Sequence, residues 1–131
     1  MEKKNKNHFM DGEKLFIKWC EMGGYSVARL CNFAISEGMK NTVGRNPTRM
    51  GAWKAMWRWA SMKENKDRAF ELFSKIYTNK VIQEDPWIGQ FFPDGLTETA
   101  WKTFMLEKIQ SAWQHTSEIK EYRFLEKNGW I

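Results

Sequence analysis

The stretch from Thr48 to Lys63, TRMGAWKAMWRWASMK, decides the fold class. Trp53, Met56, Trp57 and Ala60 recur at i, i+3, i+4 and i+7, the spacing that stacks side chains on one face of an α-helix. At about 100° per residue, Gly51, Lys54, Ala55 and Arg58 project the other way. A tryptophan-rich apolar stripe backed by cations therefore predicts an amphipathic helix seated on a core.

The same period extends in both directions. Upstream, Asp11 caps a helix whose apolar positions are Leu15, Phe16, Trp19 and Met22, and Gly23-Gly24 ends it. Ser26 opens a second helix with Val27, Leu30, Cys31 and Ala34 on one face and Gly38 as its stop. Downstream, a helix from about Asn65 carries Ala69, Leu72, Phe73, Ile76 and Tyr77. Thr97 begins another, with Trp101, Phe104, Met105, Ile109, Ala112 and Trp113 inside. A break at His115-Thr116-Ser117 precedes a last helix from about Glu118 to Asn128, with Gly129 as its stop and Trp130 folding back against it. The prediction is an all-α fold: a basic arm at 1–10, a three-helix module at 11–63, and a helical C-terminal region at 64–131, together one compact domain of 131 residues.

Charge is unevenly spread. Residues 1–66 hold 13 Lys/Arg against 6 Asp/Glu, and residues 67–131 hold 8 against 10, so the net +5 splits into +7 and −2. Between Gly38 and Lys63 lie Lys40, Arg45, Arg49, Lys54, Arg58 and Lys63 with no acid among them. A solvated helix usually interleaves both signs for i, i+4 pairs; an uncompensated run makes a positive field suited to a nucleic-acid backbone.

The succession Leu15 to Met22, Ser26 to Glu37 and Thr48 to Met62 resembles a helix-turn-helix DNA-binding domain with its third helix in the recognition position. The resemblance covers about the first half of the chain. It implies that Thr48, Arg49, Gly51, Lys54, Ala55 and Arg58 meet double-stranded DNA, while Lys40 and Arg45 hold phosphates from the preceding loop. The chain departs from the pattern in its connection, since Gly38 to Pro47 is about ten residues where the familiar turn has roughly three or four. In size and in joining such a domain to a helical tail, it is similar to small phage DNA-binding proteins such as small terminase subunits and regulators. Domains of this kind commonly act as homodimers, which the resemblance carries over as an expectation.

From Thr78 to Leu96 the helical period fails, and Pro86 and Pro93-Asp94-Gly95 mark a long loop holding Trp87, Ile88, Phe91 and Phe92. Packing of these aromatics onto the helices is one reading. The other is a docking patch for a protein partner, with Trp59, Trp87, Phe91 and Phe92 as anchors. Enzyme chemistry finds little footing. His8 and His115 have no Cys or His at zinc-ligand spacing, no Walker loop or Gly-x-Ser-x-Gly elbow occurs, and no cofactor or metal is expected. Pro93-Asp94 with Glu118-Ile119-Lys120 is similar to the Pro-Asp and Glu-x-Lys elements of a magnesium-dependent nuclease family, which sets them on adjacent strands. Cys20 and Cys31 read as reduced and buried, no apolar run suits a membrane, and the expected location is the cytoplasm, that of the host cell for a phage protein. The sequence reading is thus of a non-enzymatic binder of double-stranded DNA.

Overall fold

The helix from Arg49 to Ser61 (α3) forms with Thr48 as its N-cap, the threonine hydroxyl accepting the Gly51 N–H at 3.0 Å. The computed structural model describes residues 10–24, 26–113 and 117–131, without the side chains of Val81 and Trp87. The expected basic arm, apart from Met10, and the break at His115-Thr116 lie outside the described residues. Within them the chain is all-helical. Around α3 stand α1 (Gly12–Glu21), α2 (Val27–Ser36), α4 (Lys66–Tyr77) and α7 (Glu98–Ala112), and α8 (Glu118–Lys127) is the last helix. Two short helices, α5 (Lys80–Gln83) and α6 (Pro86–Gly89), occupy the segment expected to be an open loop.

Capping explains most boundaries. Asp11 accepts from Lys14 N–H, Ser26 from Arg29, Thr97 from Ala100 and Ser117 from Lys120, each satisfying a donor that the first helical turn leaves unpaired. At the other end of α8, Gly129 adopts φ +78°, which lets Trp130 N–H reach Leu125 C=O at 2.8 Å and Gly129 N–H reach Glu126 C=O at 3.3 Å. This turn swings Trp130 back into the core, as its position after the glycine predicts.

The core is an aromatic lattice centred on α3. Trp57 meets Trp19 edge-on at 5.0 Å and Phe16 at 5.7 Å, both from α1, and Phe104 of α7 at 5.8 Å. Phe73 of α4 joins the same lattice through Phe104 at 5.3 Å and Trp101 at 5.0 Å. The expected stripe is buried at Met56, Trp57 and Ala60, whereas Trp53 is only half-buried and binds Ser111 Oγ through its indole N–H at 3.1 Å. Trp19 and Trp101 are buried; Trp113 is half-buried beside Phe124.

A second packing face on α3 went unread in the sequence. Ala52 is fully buried, and Trp59 lies against α1. At Gly12 a Cβ would overlap Trp59 Cβ and come within 2.8 Å of Ala55 O. Neither contact belongs to a flexible side-chain end, so the two helices would have to move apart. Alanine usually stabilises a helix relative to glycine by about 1 kcal/mol. Here Gly12→Ala is expected to destabilise by about 1–3 kcal/mol instead, and chemical denaturation of the variant measures the sign directly.

The segment 78–96 is folded onto the helices. Asp85 accepts the Ile88 N–H at 3.1 Å and so caps α6 ahead of Pro86. Ile82, Ile88 and Phe92 are buried, and Phe92 packs on Phe73, Tyr77 and Phe104 at 5.1–5.7 Å. Four-residue helices escape a periodicity reading because one turn does not repeat.

Candidate nucleic-acid interface

The α2–α3 connection is a built turn. Asn41 Oδ1 accepts the N–H groups of Val43 and Arg45 at 3.0 Å each, Gly44 N–H reaches Asn41 C=O at 2.9 Å, and Asn41 N–H reaches Arg45 C=O at 2.8 Å. Both ends are anchored: Met39 is buried after the Gly38 stop, and Cys31 Sγ–H donates to Pro47 C=O at 3.4 Å. The extra length relative to a conventional helix-turn-helix connection therefore has a definite shape.

This turn and α3 enclose a groove of about 410 Å³ lined by Met10, Lys40, Asn41, Thr42, Gly51, Lys54, Ala55 and Arg58. Five residues expected at DNA, Lys40, Gly51, Lys54, Ala55 and Arg58, share this one concavity, and none of its described lining residues is acidic. Arg45, Thr48 and Arg49 are exposed but do not line it. Met10, Asn41 and Thr42 were missed; only the turn-forming character of Asn41 could have signalled one of them.

The cations differ in what already holds them. Lys40 Nζ donates to Asn46 Oδ1 at 2.7 Å. Arg58 is set into the structure: its guanidinium lies 4.3 Å from the Trp113 ring centroid, and Nη2 donates to Ala112 C=O at 3.2 Å. A cation there complements the negative end of α7. Burial lowers its pKa from the usual arginine value, and Nε is buried without an acceptor among the described residues. Removing Arg58 would thus disturb the α3–α7 contact as well as the groove.

Position also limits how α3 can be used. Of its thirteen residues only Arg49 and Met50 are exposed, because α1, α2, α4 and α7 all pack on it. A helix read along the major groove offers its outer face over about two turns. What α3 offers instead is its first turn and the groove beside it.

The other candidates are placed as follows. Trp59 and Phe91 are half-buried, with Phe91 edge-on to Phe104 at 5.2 Å, and Phe92 is buried; the side chain of Trp87 is outside the described residues. The proposed aromatic anchors that are described are thus committed to the core. Asp94 sits in the turn before α7, while Glu118 and Lys120 open α8, and no strand joins them among the described residues. Among those residues no group of three or more His, Cys, Asp or Glu converges as a metal site. Cys20 is buried, and burial together with the Glu21 charge pushes its thiol up to about 12, so it is protonated at neutral pH. No helix among the described residues is long and apolar enough to cross a membrane. No protein-family model matches the chain, and no curated protein or solved structure matches it significantly.

Proposed function

We propose that this protein binds double-stranded DNA without chemistry, as a regulator or packaging accessory of the phage or mobile-element kind, gripping the phosphate backbone rather than inserting a helix. The observation that carries the reading is the basic groove, where Lys40, Lys54 and Arg58 converge from a loop and a helix with no acid among the described lining residues. Concave cationic walls focus potential more strongly than a flat surface bearing the same charges. Exposed Arg45 and Arg49 extend the field beyond the groove.

Fluorescence anisotropy with labelled random duplex DNA, single-stranded DNA and RNA tests it. Duplex binding is expected to weaken by orders of magnitude between about 50 and 200 mM salt, because each neutralised phosphate releases counterions. Duplex is also expected to outcompete both single strands. Absent duplex binding at low salt, or binding indifferent to salt, would sink the reading.

A further inference from the structure

A second cavity shares no lining residue with the basic groove. It has a volume of about 220 Å³ and lies between the α1–α2 turn, α6 and α7. Trp19, Trp53 and Phe104 give it flat aromatic walls, Val27 and Ile88 aliphatic ones, and Lys108 a basic residue. An apolar cavity of about 150 Å³ is enough to admit benzene and stays dry otherwise. This one has room for a single ring bearing a small substituent.

Lys108 sets the chemistry of that substituent. Its side chain is only 17% exposed, and the ammonium lies 5.1 Å from the Phe104 centroid, 5.6 Å from Trp53 and 5.7 Å from Phe91. Aromatic faces replace water only partly around a cation. It also meets the half-exposed carboxylate of neighbouring Glu107 at 3.2 Å. An ammonium has three donors, so this pair leaves capacity for a second anion. The indole N–H of Trp19, a wall residue buried at 1% exposure, has no acceptor among the described residues. Flat apolar walls, an under-solvated cation and an unused donor are complementary to one class of molecule.

We propose that this cavity binds a small aromatic carboxylate, its ring among Trp19, Trp53 and Phe104 and its carboxylate at Lys108. The test titrates the full chain with benzoate, with benzyl alcohol for the ring without the charge, and with acetate for the charge without the ring. Amide chemical shifts and tryptophan fluorescence report binding. Saturable benzoate binding at millimolar concentration is expected, with acetate giving none. Lys108→Met should weaken benzoate about tenfold or more while leaving benzyl alcohol within about twofold, and Val27→Phe, which fills the cavity, should abolish both. If Val27→Phe fails to fold, Ile88→Phe fills the space from the opposite wall. No saturable benzoate binding by the wild-type chain, equal weakening of both probes by Lys108→Met, or full binding by a folded filled variant would each overturn the proposal.

Discussion

Replacing Trp130 by alanine is expected to lower the stability of this protein by about 3–5 kcal/mol, a large fraction of the roughly 5–15 kcal/mol that holds a domain of this size folded. The second-to-last residue of the sequence is buried at 3% exposure. Its indole N–H donates to Ser61 C=O at 2.7 Å, satisfying an orphan carbonyl at the end of α3. Lys66 Nζ lies 4.1 Å from its ring centroid and donates to the carbonyls of Asn128 and Gly129 at 3.2 and 3.4 Å. Alongside, buried Asn128 accepts the Lys63 N–H through Oδ1 at 2.8 Å and donates to Phe124 C=O at 2.9 Å. The end of α8 is thereby tied to the junction between α3 and α4.

Loss of the ring leaves a cavity, an unsatisfied carbonyl and a half-buried lysine without its aromatic partner. Tyr122→Ala is the control, since Tyr122 is 56% exposed on the same terminal helix; it should cost no more than about 0.5 kcal/mol. Urea denaturation of both variants decides the matter. A Trp130→Ala protein within about 1 kcal/mol of wild type would show that the terminal turn does not bear on global stability.

The largest expected functional effect is charge reversal in the groove. Lys40→Glu with Lys54→Glu should reduce duplex DNA affinity by at least a hundredfold at low salt, because two attractions become repulsions inside a concave wall. Lys40→Gln with Lys54→Gln gives the quantitative companion. If both lysines neutralise phosphates, the slope of log affinity against log salt should shrink by about 1.8. Circular dichroism confirms that each variant is folded. Arg58 is unsuited to this test because its contacts with Ala112 and Trp113 confound binding with stability. An unchanged slope in the folded glutamine pair would remove the groove from the binding surface.

Helix positions were legible wherever a stripe ran for two or more turns and a Ser, Thr or Asp stood before it. Asp11, Ser26, Thr48, Thr97 and Ser117 cap as those residue types should, and Gly38 and Gly129 take the positive φ that their stops require. The all-α class follows from such local signals, because caps and periodicity depend on neighbours a few residues away. The acid-free run of cations was equally legible.

Placement was decided by tertiary structure alone. One amphipathic stripe cannot say that α3 would be covered by α1, α2, α4 and α7 together, since burial of its second face comes from contacts distant in sequence such as Gly12 against Trp59. The same distance effect set Arg58 on Trp113 while leaving it in the groove wall, and drew Phe92 into the core through Phe73 and Phe104. Sequence determined which segments are helical and where the positive charge resides. Only the tertiary fold decided which of those charges share a groove, because convergence depends on how helices pack rather than on how each one forms.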